Sequence, residues 1–123
     1  MLKRKFAGRL SVIAGAIALS CVAAVQPASA AVYNFGYLGT QVQVDTKPGN
    51  GAPGWVWAYG SSSSWTSGGS INVEYKDGTM ESFGVNANGT IARSTTRAIS
   101  AVQPCTFRTD NWSWECGNYY MVG

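Results

Sequence analysis

Cys105-Thr106-Phe107-Arg108-Thr109-Asp110-Asn111-Trp112-Ser113-Trp114-Glu115-Cys116 is the stretch that decides the fold. Side chains alternate sides along a strand. Folding the segment about Asp110-Asn111 as a two-residue turn therefore sets Cys105 opposite Cys116, Phe107 opposite Trp114 and Thr109 opposite Trp112 on one face. Thr106 with Glu115 and Arg108 with Ser113 then share the other, polar face. One register brings both sulfurs together and gathers the rings beside them, which predicts a β-hairpin closed by a Cys105–Cys116 disulfide. On the loop-entropy model such a bridge is worth about 3 kcal/mol.

Outward from this hairpin the same grammar continues: short alternating runs separated by Gly, Asn, Asp and Ser, with no stretch at helical period. The runs predict strands at 32–37, 40–45, 55–59, 70–76, 79–85, 90–93, 97–102, 105–109 and 112–121. Strands this short and this closely spaced predict an all-β domain, a small antiparallel β-sandwich or barrel. Asn88-Gly89 is the strongest hairpin signal, because both residues tolerate positive φ. Asp77-Gly78 reads differently. A two-residue turn there would set Glu74 against Glu81, and like charges directly opposite are unfavourable, so a longer loop or a bulge is expected. Residues 47–54 and the flexible-looking run Ser61-Ser62-Ser63-Ser64 are predicted loops.

The N-terminus reads as a secretory signal peptide over residues 1–30. Lys3, Arg4, Lys5 and Arg9 form its basic head, Leu10 to Val25 its apolar stretch and Ala28-Ser29-Ala30 its cleavage site. An uncleaved anchor would need about 20 apolar residues, whereas this stretch is shorter and broken by Ser11, Gly15 and Ser20. Cys21 follows Ala18-Leu19-Ser20 where a lipoprotein site would carry an aliphatic residue in place of Ala18, and the apolar run continues past it. The expectation is a secreted single domain over 31–123 with no membrane span. Four of the nine Lys and Arg belong to the basic head, and all six Asp and Glu lie beyond residue 30, leaving −1 on the exported part. A near-neutral chain lacks the cationic surface that nucleic-acid binding needs. A pair of cysteines in an oxidising compartment is most simply a disulfide.

Catalysis finds little support. The chain has no His, which removes the usual general base and zinc ligand together. Asp45, Glu74, Asp77, Glu81, Asp110 and Glu115 fall at turns or on polar faces and form no Asp-x-Asp-x-Asp-Gly calcium loop. The serine run has no partner base. A protein that is not an enzyme, with no cofactor and no metal, is the expectation. Asn88-Gly89-Thr90 and Asn111-Trp112-Ser113 match the N-glycosylation pattern, and a bacterial signal peptide of this Ala-rich kind makes both matches accidental.

Rings are the surplus. All five Trp, all six Tyr and three of the four Phe lie beyond residue 30. Trp55, Trp57 and Tyr59 alternate at period two with Val56 and Ala58, which stacks three rings on one face of a strand. That face is either core or an exposed contact surface, suited to a sugar, a lipid-linked headgroup or a protein groove.

Gly54-Trp55-Val56-Trp57-Ala58-Tyr59-Gly60 resembles the Gly-x-x-Trp-x-Tyr-Gly segment of the lactococcin-type secreted bacteriocins. Trp65 with Thr66-Ser67, Arg97-Ala98 and Tyr119-Tyr120 follow in family order. The resemblance implies a small β-sandwich exported by a signal peptide, whose best-studied kind binds the cell-wall precursor lipid II and blocks septum formation. This chain lacks the family's His residues and carries extra residues over 31–53. Trp57-Ala58-Tyr59 and Val73-Glu74-Tyr75-Lys76-Asp77-Gly78-Thr79 are similar to the tendamistat-like α-amylase inhibitors, also small secreted β-sandwiches, whose inhibitory turn is Trp-Arg-Tyr; Ala58 stands where that Arg would be.

The function expected is thus antibacterial: a bacteriocin-like protein that binds a cell-wall precursor or other envelope component of competing bacteria. Trp55, Trp57, Tyr59 and Trp65 would supply contact area, and Arg93 and Arg97 would meet an anionic pyrophosphate headgroup. The alternatives are a secreted inhibitor of an extracellular hydrolase and a structural cell-surface protein.

Overall fold

The structure, a computed structural model, describes residues 31–123; the signal peptide expected over 1–30 lies outside the described residues. Nine strands follow in chain order: β1 (Val32–Tyr37), β2 (Thr40–Asp45), β3 (Gly54–Tyr59), β4 (Thr66–Tyr75), β5 (Met80–Val85), β6 (Thr90–Thr95), β7 (Ile99–Arg108), β8 (Ser113–Cys116) and β9 (Tyr120–Met121). They form two antiparallel sheets, one ordered β1-β2-β3-β6 and the other β5-β4-β7-β8, with β9 also on β7.

The inner faces meet in one aliphatic core. Val42, Val44, Val56 and Ala58 from the first sheet join Ile71, Val73, Tyr75, Ile99 and Val102 from the second. Each fully buried valine or isoleucine is worth about 1.5–3 kcal/mol of transfer free energy. Valine suits this position because it is β-branched and compact, filling the space between two sheets spaced about 10 Å apart. Among the described residues, Tyr75 is the one aromatic side chain that is fully buried. Tyr33, Phe35 and Phe83 pack half-buried against its margin, and Trp55, Trp57 and Tyr59 take no part in it.

At one end the interior is polar and bonded. Thr40 and Thr106 are fully buried. The Thr106 hydroxyl donates to the Tyr37 carbonyl at 2.6 Å and meets the Thr40 hydroxyl at 2.8 Å. Gly69, paired with Thr106 across the sheet, makes room for them, since a Cβ there would sit 2.2 Å from Thr40 Oγ1.

The hairpin of β7 and β8 has the predicted register, with Cys105 opposite Cys116, Phe107 opposite Trp114 and the disulfide formed. The ladder stops at Arg108 and Ser113, however, so Thr109 and Trp112 belong to a four-residue turn in which Trp112 has φ +52°. The bulge expected at Asp77-Gly78 is present: Glu74 pairs with Met80, not Glu81, and the tight turn places Gly78 at φ +88°. This is a three-residue loop ending in a left-handed residue.

Three expectations are corrected. Asn88-Gly89 makes no hairpin, because β5 and β6 belong to different sheets. Asn88 does take φ +58°, in a turn closed by the Gly89 N–H donating to the Asn86 carbonyl, so the left-handed residue turns a corner between sheets. The runs 97–102 and 105–109 are one strand, β7, continuous through Pro104. Its carbonyl accepts from the Gly117 N–H at 2.9 Å, and the proline nitrogen, on the same side of the strand, has no proton to return the bond, so the Gly117 carbonyl accepts from Gln103 Nε2 at 3.0 Å where the border opens between β8 and β9. The run 112–121 is correspondingly split into β8 and β9. The serine run is a loop between β3 and β4 as expected, held by its own bonds: Ser61 is buried, and the hydroxyls of Ser61 and Ser63 meet Thr66 Oγ1 at 2.7 and 2.6 Å.

Candidate functional site

The choice left open at β3 is decided by parity. Val56 and Ala58 point into the core with no exposure, so Trp55, Trp57 and Tyr59 point outward, each half-buried. Cross-strand pairing sets them in three rows on the solvent face. Val32, Asp45, Trp55 and Ser94 form the first; Asn34, Gln43, Trp57 and Ala92 the second; Gly36, Gln41, Tyr59 and Thr90 the third. The rings are therefore a ridge along a central strand, with carboxamides and one carboxylate on the β2 side and small or hydroxyl side chains on the β6 side. Hydrogen bonds hold Tyr59 and the side chains that flank the ridge. The Tyr59 hydroxyl donates to Asn88 Oδ1 at 3.0 Å, and Gln43 Nε2 donates to Asn34 Oδ1 at 2.9 Å. Asp45 Oδ1 accepts the Lys47 backbone N–H at 2.8 Å.

The remaining expected site residues lie elsewhere. Arg93 pairs with Val56, which puts its side chain on the inner side of edge strand β6, where it reaches solvent and donates to the Ala92 carbonyl. Arg97, between β6 and β7, stacks 4.4 Å above the Tyr75 ring and donates to Thr79 Oγ1 at 2.7 Å. Trp65 sits beside the β7–β8 hairpin, with the Arg108 guanidinium 5.0 Å over its ring and its carbonyl accepting from the Thr109 N–H. The structure thus unites Trp55, Trp57 and Tyr59 and separates them from Trp65 and from both arginines.

A second aromatic group gathers on the outer face of the hairpin. Phe107 meets Trp112 at 5.6 Å and Trp114 at 5.4 Å between centroids, both tilted or edge-on. Trp112 and Trp114 are 75% and 54% exposed. Behind them Arg108 grips both oxygens of Asp110, at 3.0 and 2.6 Å, and reaches Glu115 at 3.1 Å. These bonds hold the Asp110 carboxyl below the usual carboxylate range. Around Tyr75, burial and then the hydrogen bond to Glu81 push the phenol up to about 12. Among the described residues no cluster of His, Cys, Asp and Glu has the makings of a metal site, and no helix is long and apolar enough to cross a membrane.

The flanking residues were readable but unread. Gln41-Val42-Gln43-Val44-Asp45 alternates polar with apolar, and its odd-numbered positions carry the polar side chains beside the ridge. Comparison with known proteins gives no lead: no family model, no curated protein and no solved structure matches the chain.

Proposed function

We propose that this protein is secreted after removal of residues 1–30 and acts by binding at the envelope of competing bacteria. One observation carries the reading: the Trp55, Trp57, Tyr59 ridge faces solvent on a central strand while the core is complete without it. Rings kept outside a closed core, with hydrogen-bonding side chains at their flanks, form a contact surface of the kind that orients a ligand by stacking and specifies it by polar groups. Lipid II is the envelope component that the bacteriocin resemblance implies. The test is growth of a panel of Gram-positive bacteria with purified, disulfide-bonded protein, with and without added lipid II. Inhibition that lipid II relieves and Trp57→Ala abolishes is expected; unimpaired growth across the panel at micromolar protein would remove the antibacterial reading.

A second reading, inhibition of an extracellular hydrolase, is favoured by Trp112. A bulky residue held at positive φ and three-quarters exposed, on a hairpin closed by a disulfide, is a rigid anchor for a partner's cleft. Trp57-Ala58-Tyr59 would not serve that role, since Ala58 points into the core from mid-strand. Loss of hydrolase inhibition in Trp112→Ala but not Trp57→Ala would select this reading.

A further inference from the structure

We infer that the Trp55, Trp57, Tyr59 face binds an extended, neutral glycan polymer lying along β3; the inference rests on the envelope-binding reading and narrows its ligand. The part recognised is the amino-sugar backbone, repeated along polymerised cell wall and carried once, as a disaccharide, by lipid II, and not the anionic pyrophosphate of the lipid headgroup.

Length comes first. Rings on alternate residues advance about 7 Å each, so the ridge spans about 13 Å along the strand. That exceeds one pyranose ring and suits consecutive sugars. The three rings are absent from the ring pairs of the described residues, which join Tyr33, Phe35 and Tyr120, or Phe107, Trp112 and Trp114. Their faces are not spent on one another, and an aromatic face, electron-rich at its centre, attracts the weakly positive C–H groups on the flat side of a sugar.

The flanks fit the rest of an amino sugar. The Gln43 to Asn34 bond uses one donor of Gln43 and the oxygen of Asn34, so Gln43 Oε1 and the Asn34 amide nitrogen remain to accept from and donate to an acetamido group. Gln41, Thr90 and Ser94 add groups that both donate and accept, as sugar hydroxyls do.

Charge decides between polymer and headgroup. Asp45 is the one charged residue in the three rows, and none of their residues is a cation. Arg93 projects from the other face of β6, and Arg97 is engaged with Tyr75 and Thr79. A pyrophosphate on the ridge would lose water beside a carboxylate, with no guanidinium to replace it.

The test is sedimentation of the purified secreted protein with chitin and with peptidoglycan sacculi stripped of anionic polymers, and titration with soluble chito-oligosaccharides followed by tryptophan fluorescence. Support would be binding to stripped sacculi, affinity that rises with oligosaccharide length, and a loss of about tenfold or more in Trp57→Ala. Arg93→Ala, Arg97→Ala and added pyrophosphate should leave binding unchanged. Trp57→Phe, which keeps a stacking face, should retain most of the affinity and guards against a folding artefact in Trp57→Ala. Absence of binding to both polymers, displacement by pyrophosphate, or equal losses in the arginine variants would overturn the inference. Growth inhibition without glycan binding would overturn it while leaving the envelope reading intact; a protein that neither inhibits growth nor sediments with whole cells would overturn both.

Discussion

Two groups of rings face solvent in this molecule, and they are held by opposite means. Trp55, Trp57 and Tyr59 stand on a central strand, where β2 and β6 on either side fix the backbone and cover part of each ring. Phe107, Trp112 and Trp114 stand on an edge hairpin of four residue pairs, where no further strand lies outside β8. There the disulfide next along the ladder and the Arg108 pairs do the work that neighbouring strands do for the ridge. A surface built mid-sheet draws its rigidity from the whole fold, whereas one built at an edge needs its own fasteners.

Breaking the disulfide should give the largest effect. Replacing both Cys105 and Cys116 by Ser is expected to cost about 3 kcal/mol, read as a lower urea midpoint. The emission of Trp112 and Trp114 should change with it, while the folded fraction keeps its β3 ligand affinity; equal loss at both surfaces would break the contrast. On β3 itself, Val56→Ala should cost about 2 kcal/mol by leaving a cavity. Trp57→Ala, one residue away on the solvent side, should cost about 1 kcal/mol or less in the same urea experiment.

Smaller effects come from titration. Tyr75 is favoured as a neutral phenol in the folded protein, its pKa about 12 against about 10 when unfolded. Its contribution to stability is full below pH about 10 and is lost as pH rises toward 12. One of the six tyrosines should therefore ionise last in an absorbance titration, and Tyr75→Phe should flatten the alkaline fall in stability. Asp110 runs the other way. Its folded pKa lies below the unfolded value of about 3.9, so its pairing with Arg108 is full above pH about 4 and is lost as pH falls through the folded value. A small change in hairpin tryptophan emission confined to that acid range is expected, and Asp110→Asn should remove it.

The hairpin was legible because a two-residue period, a pair of cysteines and a turn all demand one register. Asn88-Gly89 misleads because positive φ serves a hairpin and a corner equally well; what separates them is that β5 and β6 join different sheets, which no local residue encodes. At β3 both faces are apolar, so period alone gives a stripe but not its direction. The narrow gap between the sheets then selects Val56 and Ala58 over the rings. Arg93 was misplaced by a single step of parity, since Ala92 and Ser94 share the face of Trp57 and Trp55 and Arg93 does not.

Pro104 has a consequence for how this chain behaves in a crowd. Its missing proton accompanies the break between β8 and β9, so the outer edge of the second sheet is two short pieces separated by residues 117–119. Another molecule seeking to add a strand there finds no continuous row of N–H and C=O groups to pair with. An interrupted border of this kind lets a strand-rich protein accumulate to high concentration without one copy extending the sheet of the next.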